Sequence, residues 1–327
     1  MITSSNSVVN NTEQGVPKAS IANDLIAKLH VLKWLILREF WEYKLAYLIG
    51  ACSASVCALS LSMLYNIRIL ASKSYDELVE RSYGGEFQGF FIVALIGASL
   101  TAYYHLTHSL HADRQDKSIL FWKSLPISDW QVVTSKILFP LLIAPAFAFV
   151  VSSFLFLIDR LQISAIFWYK AGAEPLELHR IYNAWREPFR ELRWLPTYLL
   201  WALPNVGWII FVSAWTKWRV FPLAVGLPWL IEIMVYFISK VFETSMYIDN
   251  VFTNALYRVT GGLIPGMWWR AEYVLLPLEQ RKNRLSFGEF EKIAFSELAQ
   301  PWIWCAALFG LIMIMLAIRQ RRYADVI

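Results

Sequence analysis

Apolar residues run almost unbroken through six stretches of the chain, at about 45–65, 88–107, 137–158, 195–215, 221–239 and 301–318. Each comes close to the roughly 20 residues that a helix needs to cross a bilayer core. Backbone amides and carbonyls cannot stay unpaired in lipid, so the runs are expected to be helices. The pattern therefore predicts an all-α membrane protein with six transmembrane helices. Pro140, Pro145, Pro204, Pro222 and Pro228 fall at or inside these runs. Each removes a backbone donor, and neighbouring helices or water are needed to satisfy the carbonyls left over.

The polar stretches divide the rest. Residues 1–20 are rich in Ser, Asn and Thr, carry no signal-peptide pattern and read as a disordered cytosolic tail. Over 21–43, Leu25, Leu29, Leu32, Ile36 and Phe40 recur at helical spacing, with Lys28, Lys33, Arg38, Glu39 and Glu42 around the remainder. A basic amphipathic helix beside a span is expected to lie in the membrane interface. Residues 44–327 then form one six-span domain. Its region 240–300 is too long for a structureless loop. Val251, Phe252, Ala255, Leu256 and Val259 repeat with helical period up to Gly261-Gly262, and Ser286 with Glu289 has capping-box spacing. Short amphipathic or re-entrant helices are expected there, with Pro301 in the first turn of the last span.

Composition sharpens the class. Of 327 residues, 57% are hydrophobic and only 17% charged, and the mean hydropathy is +0.44. Such a chain has too little polar surface to cover itself in water. Sixteen Trp suit the two membrane–water boundaries. The net charge of +5 comes from residues flanking spans and does not point to nucleic acid. Cys52, Cys57 and Cys305 lie inside apolar runs without a CxxC pair and read as packing residues.

Basic residues set the expected orientation. With the N-terminus inside, that side collects Lys28, Lys33, Arg38 and Lys44, then Arg114, Lys117, Lys123 and Lys136, then Lys217 and Arg219, and finally Arg319, Arg321 and Arg322. Both termini are accordingly expected in the cytosol.

The segment between the second and third spans, about 108–136, is polar and helix-forming. Ile119, Leu120, Phe121 and Trp122 make an apolar cluster within it, and such a cluster needs a covering surface. Leu125-Pro126 ends that helix. Ser128 and Gln131 form a capping box for the next one, with Asp129 suited to its positive end.

Asp113-Arg114, Ser118-Ile119-Leu120, Lys123-Ser124-Leu125-Pro126-Ile127-Ser128 and Ser135-Lys136 together resemble the same region of ABC-2-type transporter permeases. The family commonly has Glu where this chain has Asp113. The run Leu203–Trp215 is similar to the fourth span of one bacterial subgroup, and the six-span plan matches over about 300 residues. The resemblance implies the transmembrane subunit of a bacterial exporter in the cytoplasmic (inner) membrane. It implies two permease protomers, expected to be identical, joined to two ATPase subunits, with the ligand path between protomers along spans one, two and five. It also implies that the cytoplasmic segment 108–136 between spans two and three carries a coupling helix, with Ile119 to Trp122 docking on the ATPase and Asp113, Arg114 and Lys123 as polar contacts. No Gly-x4-Gly-Lys-Ser/Thr loop occurs in the chain, so ATP and Mg are expected on the partner rather than here.

Other chemistry is sparse. Glu232 is an acid inside the fifth run, where an ionised carboxylate costs about 2.5–3.5 kcal/mol unless it faces a polar partner. His105, His108 and His111 fan around the end of the second run, too widely for a ready metal site. Three other readings remain: a non-transporting anchor or signalling subunit of an ABC complex, an intramembrane enzyme using Glu232 or the histidines, and a secondary transporter working on an ion gradient without nucleotide. The residues do not specify a transported compound.

Overall fold

The computed structural model describes residues 18–71, 86–171, 189, 192–217, 219–241, 255–256, 258–264, 295–296 and 298–323. Most of the expected tail, Val251 and Phe252, and the Ser286–Glu289 pair lie outside the described residues. Among those described there is no strand. The elements are α1 (Lys18–Ala71), α2 (Glu86–Gln115), the short α3 (Ser118–Ser124), α4 (Asp129–Ala171), α5 (Leu195–Trp215), a π-helical turn (Pro222–Gly226) running into α6 (Leu227–Val241), and α7 (Pro301–Tyr323). Six of these helices are long and apolar enough to cross a membrane, which makes the chain a multi-pass membrane protein.

The expected break near residue 44 has no counterpart. α1 is one helix of 54 residues, about 80 Å at 1.5 Å per residue. No Pro or Gly occurs in it before Gly50, so nothing interrupts the hydrogen-bond ladder. Leu35, Glu39, Tyr47, Ala51 and Ser55 are buried at four-residue steps, with Tyr43 half-buried between them. The same face therefore packs inward from before the expected boundary to well beyond it.

α1, α2 and α4 pack together, α5 pairs with α7, and α2 joins the two groups by packing on α5. Glycines permit two close crossings. A Cβ on Gly50 or Gly97 would strike the other's backbone carbonyl where α1 meets α2. Where α5 meets α7, one on Gly207 would strike the Gly310 carbonyl and one on Gly310 the Leu203 carbonyl. Small residues that bring backbones together are how helices gain contact when lipid supplies no hydrophobic drive.

One proline shows the expected accommodation by a neighbouring helix. Pro228 cannot donate to the Ala224 carbonyl four residues back, and the Trp208 indole N–H from α5 bonds it instead at 2.8 Å. Pro222 opens the π-helical turn, and Pro301 is the first residue of α7. α6 packs chiefly on the π turn that precedes it, leaving most of its large apolar side chains exposed.

Residues 258–264 re-enter the bundle from the end opposite α3. Asn205 donates to the Val259 carbonyl at 2.5 Å, and Tyr103 donates to that of Thr260. Ser99 at 2.6 Å and Tyr198 at 3.3 Å both donate to Leu263. Along α5 the contacts step back from Asn205 to Trp201, which a Cβ on Gly262 would strike, and then to Tyr198. Over 259–263 the backbone thus runs back along α5 from Asn205 toward Tyr198. Irregular backbone is tolerated there because protein side chains satisfy its carbonyls.

Candidate functional site: the α3 segment and its ionic anchor

α3 begins where α2 can no longer continue. Lys117 takes up a left-handed conformation, with φ 60° and ψ 11°, and turns the chain. A non-glycine residue in this region is uncommon and costs some backbone strain. Ser118 Oγ bonds the Asp113 carbonyl at 3.3 Å across the turn. At the other end Leu125 is extended, with ψ 151°, as the residue before a proline must be. Ser128 then opens α4. Its N–H and its hydroxyl both donate to Gln131 Oε1, at 3.0 and 2.7 Å, and Gln131 Nε2 donates to the Lys28 carbonyl of α1 at 3.0 Å. The predicted reach of Gln131 back to the Ser128 amide is present and also ties α4 to α1, while the Gln131 backbone N–H bonds the Ser128 backbone carbonyl rather than its hydroxyl.

α3 has two faces. Ile119 and Trp122 are buried, and the Arg38 guanidinium of α1 lies 4.4 Å from the Trp122 ring centre. A cation over an indole face is worth about 0.5–2 kcal/mol, depending on desolvation. Leu120 and Phe121 point the other way, 57% and 60% exposed, with Lys123 exposed beside them. The apolar cluster read from the sequence is therefore split, half holding the helix down and half presented outward.

Asp113 and Arg114, expected as outward polar contacts, are buried and bonded inside the chain. α2 runs on to Gln115, so both residues sit on its packed faces rather than in a loop. Arg114 Nη2 donates to the Ser213 and Thr216 carbonyls at 2.8 and 2.6 Å. Those carbonyls lie at the C-terminal end of α5, where acceptors are left over and a positive charge is favoured. His111 Nδ1 lies 3.3 Å from the same Thr216 carbonyl. The Ser213 hydroxyl donates to the Thr107 carbonyl at 2.9 Å and accepts from the His111 amide at 3.2 Å, entering the ladder of α2.

Asp113 belongs to a chain of charges linking four helices. Lys136 of α4 lies 3.3 Å from Asp113 Oδ1 and 3.8 Å from Glu39 of α1, and donates to the Ser109 carbonyl at 3.0 Å. Arg321 of α7 places Nη1 2.9 Å from Asp113 Oδ2 and Nε 3.2 Å from Asp129 Oδ1. Glu39 Oε2 is 3.4 Å from His105 Nε2, whose ring stacks 4.3 Å from that of Tyr43. Buried charges are sustained only when paired and hydrogen-bonded, which explains why these charges cluster.

Glu39, Lys136 and Arg321 had no place in the sequence-based site. The sequence pattern places Glu39 on the wet face of the amphipathic helix, and it is instead 3% exposed. Its four-residue spacing from Leu35, Tyr43 and Tyr47 was the available signal. Glu232 lies apart from the cluster, partly exposed on α6, and makes no hydrogen bond or ion pair among the described residues. The three histidines diverge: His105 to Glu39, His108 against the Tyr104 ring at 4.6 Å, and His111 to Thr216. Among the described residues no group of three His, Cys, Asp or Glu side chains is arranged to hold a metal ion.

Comparison with family models, curated proteins and solved structures finds no match to this chain.

Proposed function

We propose that this chain is the transmembrane permease subunit of an ATP-driven exporter of the ABC-2 type, worked by a separate ATPase that docks on α3. The observation that carries the proposal is the two-faced α3. It offers Leu120 and Phe121 to a partner while Trp122 and the charges on either side fix it to the helices behind. A loose loop with the same residues would bind a partner but transmit no displacement. A short helix anchored on α1, α2, α4 and α7 would transmit one.

In this reading α3 and both termini face the cytosol of a bacterial cell, as the basic residues near Lys117, Lys217 and Arg319 favour. Two copies of the chain and two ATPase subunits form the working unit. ATP closes the ATPase pair, α3 is displaced, and the helix bundles shift between two arrangements whose relative stability the nucleotide sets. ATP and Mg are bound by the partner. The polar contact expected from this chain is Lys123, with Asp113 and Arg114 acting inside the bundle.

The test is co-purification with the associated ATPase in nanodiscs, followed by ATP turnover against a panel of amphiphiles. Phe121→Asp is expected to dissociate the complex or to abolish stimulation by amphiphiles. Unchanged assembly and stimulation in this variant would reject docking at α3. A complex that assembles normally, but whose turnover no compound alters, would favour an anchor or signalling subunit.

A further inference from the structure

We propose that Arg321 is the positioning residue that makes α7 move together with α3. The proposal rests on the functional reading above and adds the route by which displacement leaves the docking helix.

The two carboxylates that Arg321 joins bracket α3 symmetrically. Asp113 lies five residues before Ser118, and Asp129 five residues after Ser124. One guanidinium therefore holds the entry and the exit of the segment at once, at 2.9 Å through Nη1 and 3.2 Å through Nε. Arg321 reaches both from a helix about 200 residues further along the chain, and it is only 3% exposed. Arg319 and Arg322 on the same turn are exposed, as cations at a helix end ordinarily are. Charge-assisted bonds of this kind are short and directional, and the planar fork suits two acceptors at fixed angles. A lysine would carry the charge on one nitrogen and lose the fork.

The rest of α7 leaves this link little competition. α7 packs mainly on α5, through the Gly207–Gly310 crossing, and only lightly on α4. α1, α2 and α4 would follow α3 through direct connection, through Gln131 to Lys28 and through Arg38 on Trp122. Among the described residues α7 has no comparable tie to the segment. Through Arg321 it follows as well, and the α5 to which it is fused goes with it.

The experiment uses the full chain in nanodiscs with its co-purified ATPase. Cys52, Cys57 and Cys305 are replaced by Ala, spin labels are attached at Ser124→Cys and Tyr323→Cys, and the labelled chain is diluted with unlabelled cysteine-free chain so that only distances within one protomer are read. The expected result is one narrow label–label distance that ATP leaves unchanged, because both helices move as one. Arg321→Gln is expected to at least double the width of that distribution. In this variant ATP should separate the labels while the ATPase stays bound and active. Arg321→Lys should fall between the two. Should Arg321→Gln fail to fold, Asp129→Asn removes the exit arm alone and is read in the same way.

A distribution in the variant that coincides with the native one overturns the proposal. So does a lowered Tm with a distance that ATP still does not change, since that outcome marks a purely stabilising residue. Absence of any bound ATPase would defeat the functional reading instead, and the nucleotide-free distances would still decide the role of Arg321.

Discussion

The carboxylates of Glu39 and Asp113, on different helices, share one ammonium: Lys136 lies 3.8 Å from the first and 3.3 Å from the second. Both acids and the lysine are buried. Removing the lysine leaves Glu39 with only the more exposed Arg38 as a cation, at 3.8 Å, while Asp113 keeps Arg321 at 2.9 Å, and breaking a buried pair costs about 3–5 kcal/mol. Lys136→Met is therefore expected to destabilise the protein by that amount, measured as unfolding free energy in mixed micelles. Adding Glu39→Gln should recover a large part of the loss. Recovery of none of it would show that the lysine acts through packing of its stem.

The indole of Trp208 replaces the donor that Pro228 lacks. Polar contacts between membrane helices average about 0.6 kcal/mol and reach about 1.7 kcal/mol. Trp208→Phe keeps the ring and removes the N–H, so a loss of about 1 kcal/mol is expected. Pro228→Ala in the same background restores the helical donor and should return most of it. An unchanged loss in the double variant would break the assigned link between these residues.

Asn205 holds the re-entrant segment through the Val259 carbonyl and the Tyr103 hydroxyl. Asn205→Leu leaves both groups buried without this donor, at about 1–3 kcal/mol each. The segment is then expected to withdraw. A cysteine placed at Leu263, now fully buried, should change from slow to fast labelling by a water-soluble maleimide. Equal labelling in the two backgrounds would place the hold on this segment elsewhere, at Ser99 or Tyr198.

Gly310 packs against the Leu203 and Gly207 region of α5 with no room for a side chain. Gly310→Leu is expected to separate α5 from α7 and to cost several kcal/mol as an overpacked contact. Gly226, with open space around its Cβ position, provides the control, and Gly226→Ala should be nearly neutral. Similar losses in both variants would mean that backbone freedom rather than close packing governs these glycines.

The six spans were legible because lipid solvent demands long apolar runs, and α5 ends where the apolar run does, at Leu195 and Trp215. The Ser128–Gln131 cap was legible because its chemistry is local. α2 and α4 extend well past their apolar runs, to Gln115 and from Asp129. Hydropathy measures where water is excluded by lipid, and these ends are covered by protein instead. The same difference hid the ionic cluster. A charge at the end of a span ordinarily snorkels to water, and Arg321 looks no different in sequence from Arg319 and Arg322. Only the meeting of α1, α2, α4 and α7 turns Glu39, Asp113, Lys136 and Arg321 toward one another. Asp113 and Arg114 were read as outward-facing for the same reason.

The two kinds of helix contact have unequal tolerance for sliding. At Gly50–Gly97 and Gly207–Gly310, backbone lies directly on backbone, and a shift of one turn would drive a larger side chain into the space of a hydrogen atom. Between α2 and α5 the contact near α3 is made by Ser213, Thr107, His111 and Arg114, whose hydroxyl, imidazole and guanidinium can trade one carbonyl for the next along a helix. Sliding is therefore easier at the α2–α5 boundary than at the glycine crossings, and Arg321, bonded to Asp113 and Asp129 across that boundary, is what opposes it. The protein is in effect two stiff halves joined by a strip of replaceable polar bonds and one charged clasp.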